Sequence, residues 1–281
     1  MENIIDFKKR KEYLICVDSD GCVMNTMDIK HIECFGPCMV KEWNLEKWEK
    51  TILSRWNDIN LYTSTRGINR FKGLVISLTE INEKYLKIED LQSLIDWTQN
   101  TKELSNNALL KEIELKPNSV ILKKVLSWSK AVNLSINALP QEKKLPFEMA
   151  KTALMYAHQK ADVAIVSSAN LDAVMEEWEK YGLLDYVDIV LAQNCGSKAF
   201  CIAELLKKGY DNQKVLMCGD APGDMNAAQK NNVLYYPILV RKENFSWEQF
   251  IDNACDKFID GTFKGEFQQQ KIDEFLKNLG E

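Results

Sequence analysis

The sequence lacks the basic surplus and the long apolar runs that would each define a class of protein. Lys and Arg number 36 against 41 Asp and Glu, which gives a net charge of -5. Sequence-independent binding of nucleic acids relies on a basic face, so no nucleic-acid partner is predicted. No run reaches transmembrane length and the N-terminus has no signal-peptide apolar region, so no membrane partner is predicted either.

Cysteine pairs of the CxxC type are also missing, although the sequence has eight cysteines. Cys34 and Cys38 are four residues apart, but only His31 lies near them, and one histidine does not complete a zinc site. Several of the other cysteines lie inside apolar runs, which is typical of small buried residues in a reduced protein. These features predict a cytoplasmic protein, and they leave its oligomeric state undetermined.

Short apolar runs that end in polar or Gly-containing turns are present at both ends of the chain. Such runs are typical of strands buried on both faces of a parallel sheet. They are Tyr13–Val17, Val163–Val166, Ile189–Ala192, Val215–Cys218 and Val233–Leu239. Helical patterns alternate with them, at Phe147–His158, Leu171–Tyr181, Lys198–Lys208 and Met225–Lys230. This alternation predicts an open α/β sheet with right-handed crossovers.

The interval from about residue 27 to about residue 145 has a different pattern. It contains five of the seven tryptophans, and its apolar residues recur at helical spacing, as in Trp48, Ile52 and Trp56. We therefore predict a mostly helical inserted domain over 27–145. The α/β core would comprise 1–26 and 146–281. Two further helices are predicted in the last stretch, on either side of Gly261.

The first strand ends in Asp18-Ser19-Asp20-Gly21. Side chains two residues apart in extended chain point the same way, so both carboxylates project from the carboxyl edge of the sheet, where α/β folds bind ligands. Two adjacent anions repel each other unless a cation or a shared proton relieves them, and Mg²⁺ prefers oxygen ligands. One carboxylate could then attack phosphorus while the other transfers a proton. A simple strand-end turn explains the tetrapeptide equally well.

Polar residues follow two later strands as well. Ser167 could donate its hydroxyl to a phosphate oxygen, with amides at the next helix start adding donors. Ser168 or Asn170 could instead cap that helix, and for Asn170 capping is the preferred interpretation. Lys198 opens a helix, where the helix dipole disfavours a cation, and such a breach often marks function. A solvated surface lysine is the alternative.

The fourth strand ends in Gly219-Asp220-Ala221-Pro222-Gly223-Asp224. It places further carboxylates at the same edge of the sheet. Asp220 could complete a metal site there. Asp224 could cap a helix that starts at Met225, and a capping carboxylate can also lie next to a metal's direct ligands. Four such segments in a fixed order at one sheet edge favour a shared site.

This arrangement resembles the haloacid dehalogenase superfamily, in which Asp-x-Asp-Gly follows the first strand and Ser or Thr stands eight residues after the first Asp. Thr26 holds that position here. The family's second and third motifs match Ser167 and Lys198, and its Gly-Asp-x-x-x-Asp motif matches Gly219, Asp220 and Asp224. The resemblance covers roughly residues 12–26 and 146–240. It implies a Rossmann-like core, and the inserted domain resembles the family's helical cap of the C1 type.

The resemblance also implies roles for these residues. Asp18 would be the nucleophile that forms an aspartyl-phosphate, and Asp20 the general acid and then base. Ser167 and Lys198 would hold the transferring phosphoryl group. Magnesium would be bound by Asp18, the Asp20 carbonyl and Asp220, with Asp224 beside them. The family's dehalogenases and its phosphonate-cleaving branch lack an acid at the position of Asp20, so neither activity is expected.

Further substrate contacts are expected from Thr26, Ser168 and Asn170, and from a cationic loop of the inserted domain. Arg66 and Arg70, four residues apart, could share a helix face and bind a carboxylate or a second phosphate. Lys72 is a weaker candidate, and a solvated helix-start loop is the alternative.

The leading functional hypothesis is a phosphatase of a small phosphorylated metabolite. A sugar-phosphate phosphomutase of the same fold and a non-catalytic binding or regulatory protein are the alternatives.

Overall fold

The computed structural model describes residues 4–281, so residues 1–3 of the predicted core lie outside the described part of the chain. The strands are β1 (Leu14–Val17), β2 (Asp162–Val166), β3 (Ile189–Leu191), β4 (Val215–Gly219) and β5 (Leu234–Pro237). The α-helices are α1 (Met27–Lys30), α2 (Gly36–Glu42), α3 (Glu49–Asn57), α4 (Arg70–Lys84), α5 (Leu91–Asn100), α6 (Asn106–Leu115), α7 (Val120–Asn137), α8 (Ala150–Lys160), α9 (Leu171–Lys180), α10 (Lys198–Leu206), α11 (Pro222–Lys230), α12 (Glu243–Gln249), α13 (Cys255–Asp260) and α14 (Glu266–Asn278). No described helix is long and apolar enough to cross a membrane.

The chain divides into two compact units. One comprises residues 1–27 and 141–281, and the other comprises residues 28–140. The predicted boundaries, after residues 26 and 145, lie one and five residues from these division points. Every strand of residues 4–281 belongs to the first unit.

The first unit contains a five-stranded, fully parallel sheet in the order β3-β2-β1-β4-β5. In register, Ile15 lies opposite Val163 on one side and opposite Leu216 on the other. The strands are buried along their whole length, as expected when helices cover both faces of a sheet. The predicted α/β class is thereby confirmed. The carboxyl ends of β1, β2 and β4 meet at one edge.

The second unit consists of helices joined by turns and loops, and its described residues form no strand. Its core is aromatic: the rings of Trp56 and Trp128 are 6.1 Å apart, and those of Phe71 and Trp97 are 5.0 Å apart, both edge to face. Edge-to-face ring pairs contribute favourable interaction energy in addition to that gained by burying their apolar area. The tryptophans that the sequence concentrates in this interval therefore supply a separate core.

The chain leaves and re-enters the first unit along a short paired segment. Met24 and Pro146 form an antiparallel bridge. The Asn25 amide donates to the Leu145 carbonyl at 2.8 Å, and the Phe147 amide donates to the Val23 carbonyl at 2.9 Å. These bonds hold the two connecting segments side by side.

Candidate active site

The loop after β1 is a closed turn that presents two carboxylates. The Asp18 amide donates to the Cys218 carbonyl of β4 at 3.0 Å, which extends the sheet to the nucleophile candidate itself. The Ser19 carbonyl then accepts from the amides of Val23 and Met24 at 3.0 and 2.9 Å. Gly21 has a φ of 83°, which a glycine adopts without strain.

Two buried indoles, on helices α9 and α12, donate hydrogen bonds to this loop. The Trp178 Nε1–H of α9 donates to Ser19 Oγ at 2.9 Å, and the Trp247 Nε1–H of α12 donates to the Cys22 carbonyl at 2.9 Å. Both donors are buried, so loss of either bond would leave an unsatisfied polar group at a cost of about 1–3 kcal/mol. Sequence patterns gave no indication of these partners.

The turn after β4 brings the backbone of Gly219 close to the side chain of Asp224. A Cβ placed on Gly219 would lie 2.3 Å from Cγ of Asp224, so no other residue fits there without movement of that side chain. The Gly219 carbonyl accepts from the Tyr235 hydroxyl at 2.9 Å. Asp220 follows directly, so β5 helps to fix its position.

Asp224 was wrongly predicted as a possible N-cap of a helix starting at Met225. Helix α11 begins three residues earlier, at Pro222, whose fixed φ and missing N–H suit a first helical position. Asp224 lies in the first turn, and its carboxylate accepts from the Ala221 amide at 3.1 Å. It still satisfies a free amide at the helix start, although from inside the helix.

The site brings together three buried carboxylates and one buried ammonium. Oxygens of Asp18, Asp220 and Asp224 all lie within 4.8 Å of one another. Lys198 Nζ lies 2.9 Å from Asp18 Oδ2 and also donates to Asp224 Oδ1. The side chain of Lys198 is only 14% exposed, which excludes the alternative of a solvated surface lysine.

The charges of this cluster perturb one another. Burial raises the pKa of Asp18 well above its ordinary value; Lys198 opposes this, and the neighbouring Asp224 and Asp220 add to it. Burial alone would lower the pKa of Lys198, but the carboxylates of Asp18 and Asp224 outweigh it and raise that pKa. Lys198 therefore stays protonated, and a further cation beside Asp18 would oppose the rise in its pKa.

Three hard, buried carboxylate oxygens suit a small divalent cation. Mg²⁺ is a hard cation that takes oxygen ligands, so the carboxylates of Asp18, Asp220 and Asp224 fit it by donor type. Asp20 lies outside this triad. Its carboxylate accepts from the Thr26 hydroxyl at 2.5 Å. The resemblance assigns the backbone carbonyl of Asp20, not this carboxylate, to the metal.

The residues after β2 divide into a buried and an exposed group. Ser167 is buried at the strand end, and its Oγ accepts from the Ala169 amide at 3.1 Å, which leaves the hydroxyl proton free to donate elsewhere. Ser168 is exposed. The Asn170 side chain accepts from the amides of Asp172 and Ala173, so this residue is the N-cap of α9.

The cationic loop lies in the second unit, where its two arginines have different surroundings. Arg66 is buried; its Nη1 donates to the Leu61 carbonyl at 2.7 Å and lies 3.9 Å from Asp28 Oδ1. Lys72 is exposed. Arg66 therefore has a structural partner within its own unit.

Arg70 opens α4 and has no carboxylate partner among the described residues. Its Nη1 donates to Asn133 Oδ1 at 2.7 Å and to Ser129 Oγ at 3.1 Å, and its guanidinium carbon lies 4.9 Å from the centre of the Phe35 ring. Burial lowers its pKa to about 10. Of the three cations in this loop, Arg70 is the one best suited to an incoming anion.

Comparisons with known proteins indicate a family and a fold. A family profile described as haloacid dehalogenase-like hydrolase matches residues 96–236, half of the chain. No curated protein sequence matches significantly. A candidate phosphoglycolate phosphatase from Lactobacillus delbrueckii subsp. bulgaricus superposes with a TM-score of 0.55 at 13% identity, over 91% of this chain and 100% of its own.

A haloacid dehalogenase-like family hydrolase from Streptococcus pneumoniae superposes with a TM-score of 0.52 at 11% identity. The match covers 84% of this chain and 90% of that one. At such identities the likeness concerns the fold.

Proposed function

The chain belongs to the haloacid dehalogenase-like hydrolases, and we propose that it is a magnesium-dependent phosphatase of a small phosphorylated metabolite. The observation that carries this proposal is the contact of Lys198 with Asp18 inside a cluster of buried carboxylates. Phosphoryl transfer needs mainly positioning and charge neutralisation, and this cluster offers both.

In the proposed reaction an Asp18 oxygen attacks phosphorus in line with the leaving alkoxide. The bond from phosphorus to the leaving oxygen breaks, and Asp20 gives that oxygen its proton. Asp20 then takes a proton from water as the water oxygen attacks the aspartyl-phosphate, which releases phosphate and regenerates Asp18. Ser167 and Lys198 donate to the phosphoryl oxygens throughout. Bound Mg²⁺ would neutralise phosphoryl charge, held by Asp18, Asp220, the Asp20 carbonyl and Asp224.

Thr26 is proposed to act through Asp20 rather than on the substrate directly. Its hydroxyl donates to Asp20 Oδ1 and so orients the carboxyl group that transfers the proton. Ser168, Asn170, Arg66, Arg70 and Lys72 keep their predicted substrate-binding roles as proposals, with Arg70 favoured. The cytoplasmic location also stays a prediction.

The proposed role of Thr26 predicts an effect that depends on the leaving group. Thr26→Val should slow hydrolysis of alkyl phosphates by about 10–100-fold, because these need a well-placed general acid. Hydrolysis of p-nitrophenyl phosphate, whose leaving group needs no proton, should change little. Thr26→Ser keeps the hydroxyl and should retain both rates. Equal losses on both substrates would assign Thr26 a structural role instead.

When the metal is removed, the raised pKa of Asp18 should make the stability of the fold depend on pH. A group with a raised folded pKa stabilises the fold below its unfolded pKa, near 3.8 for Asp18, and loses that contribution as pH rises through the folded value. Without metal, Asp18 should therefore make the protein less stable towards neutral and alkaline pH. Mg²⁺ at 100 times its Kd should restore about 2.7 kcal/mol.

The measurement is the melting temperature in EDTA and in MgCl₂ across pH 5–9. Because Mg²⁺ competes with the Asp18 proton, the gain from magnesium should grow with pH. The variant Asp18→Asn removes this titration, so the magnesium effect on its melting temperature should vary less with pH than in wild type. A magnesium effect that is absent, or larger at acidic pH, would contradict the assigned metal site.

A substrate panel tests the function itself. With Mg²⁺, the protein should release inorganic phosphate from at least one small phosphate ester. Interconversion of isomers primed by a bisphosphate, without phosphate release, would identify a phosphomutase. If no ester is hydrolysed and beryllium fluoride does not bind, the protein is a binding or regulatory member of the family.

A further inference from the structure

Lys144 lies in the segment by which the chain re-enters the first unit, shortly before Pro146. It is only 7% exposed, whereas its two neighbours, Lys143 and Leu145, are exposed. Lysines are rarely buried unless they are paired with an anion, because removing a charge from water is costly. A lysine that is buried beside an exposed leucine reverses the usual preference, and such reversals often mark function.

The ammonium group of Lys144 has no partner within residues 4–281. No side-chain hydrogen bond or ion pair joins it to another described residue. Its Nζ is not among the described atoms that lack both a partner and accessible surface, so a ligand can reach it. An ammonium group only donates hydrogen bonds. The group that satisfies Lys144 must therefore be an acceptor, and an anionic acceptor would also neutralise its charge.

The paired segment places Lys144 next to the residues proposed for proton transfer. Met24 and Pro146 form an antiparallel bridge, and continuing its register along both segments puts Lys144 across from Thr26. Both residues belong to the first unit, which also contains the sheet and the acidic cluster.

The pattern of burial shows on which side of the paired segment Lys144 lies. Thr26 and Lys144 are buried, whereas Asn25 and Leu145, which precede and follow them, are exposed. Because side chains of paired segments alternate between two sides, Thr26 and Lys144 lie on the same, inner side. The Thr26 hydroxyl donates to Asp20 Oδ1. Lys144 therefore lies beside the pair formed by Thr26 and Asp20.

We propose that Lys144 binds a second anionic group, a carboxylate or a phosphate, on the alcohol part of the substrate. Asp20 is proposed to protonate the leaving oxygen, so a cation beside Asp20 lies on the side of the leaving alcohol. An ammonium group is a point charge without the planar fork of a guanidinium, so it suits either anion. The proposal rests on the phosphatase function and narrows its substrates to phosphate esters that carry a second negative group.

Two pairs of esters that differ in the second anion test this assignment. 3-Phosphoglycerate is compared with glycerol 3-phosphate, which has a hydroxymethyl group in place of the carboxylate. Glucose 1,6-bisphosphate is compared with glucose 1-phosphate. Affinities are measured by calorimetry with Mg²⁺ in the full-length Asp18→Asn variant, which lacks the nucleophile, so the affinities do not depend on turnover. Phosphate release by the wild type is measured separately.

The anionic member of at least one pair should bind about 10–100-fold more tightly than its partner. Adding Lys144→Met should remove that preference, as expected when one charge-assisted hydrogen bond is lost. Lys144→Arg should keep most of it. Lys144 has no partner to lose in the described residues, so the methionine variant should fold. Lys143→Met is the matched control, because it removes the same charge from the exposed neighbouring residue and should leave the preference intact.

The absence of a preference in both pairs, or a preference that survives Lys144→Met, would overturn the assignment of Lys144. A loss that Lys143→Met reproduces would also overturn it, because net charge alone would then explain the effect. If the wild type releases no phosphate from any ester, the proposed function fails, and the binding preference still decides whether Lys144 holds a second anion.

Discussion

Replacing Asp18 with asparagine is expected to abolish phosphate release while leaving the fold intact. Loss of a covalent nucleophile typically costs about 10⁴–10⁶ in kcat. Folding should not suffer, because Asp18 is a buried carboxylate whose pKa is raised by burial, and a neutral amide of the same shape removes that cost. Lys198 retains Asp224 as its partner.

Phosphate release and thermal unfolding, measured on the same preparation, check this prediction. Asp172→Asn is the matched control, since Asp172 lies in the first turn of α9 in the same unit and its change should leave turnover unaltered. Activity within tenfold of wild type would remove Asp18 as the nucleophile. An unfolded variant would mean that the carboxylate has a structural role that the contacts do not indicate.

Replacing Lys198 with methionine is expected to damage both turnover and stability. Turnover should fall about 10²–10³-fold, as when one preorganised electrostatic donor is removed from a transition state. Unfolding should become easier by about 3–5 kcal/mol, because Asp18 and Asp224 lose the ammonium that lies between them.

Magnesium should recover part of that stability but little of the rate, because a cation can neutralise the carboxylates without donating hydrogen bonds to the phosphoryl oxygens. Lys207→Met is the control: Lys207 directly follows α10 and its exposed side chain pairs with Glu204, so its removal should change stability by under about 1 kcal/mol. If Lys198→Met behaves like this control, the lysine is not part of the site.

The core of the fold was predictable because its strands are buried on both faces and therefore form continuous apolar runs. The run Val215–Cys218, for example, differs from β4 by one residue. The start of α11 was missed, although Pro222 is a known signal for a first helical position. The proline in the sequence was therefore sufficient to predict where α11 begins.

Other features had no signal in the sequence. The bond between Trp178 and Ser19 joins residues far apart in the chain, and no local pattern specifies it. Arg66 and Arg70 look equivalent as neighbours in one loop, yet only Arg66 lies near a carboxylate, that of Asp28. The different surroundings of these two arginines arise from tertiary packing, and local sequence patterns do not predict it.

The paired segment at Met24 and Pro146 makes residues 28–140 a module with adjacent entry and exit points. Because the two connecting segments are already hydrogen-bonded to each other, a hairpin loop of about two to five residues could close the gap if the module were excised. The entropy of closing so short a loop is small. The architecture therefore lends itself to grafting, in which the catalytic sheet is kept and the helical module exchanged.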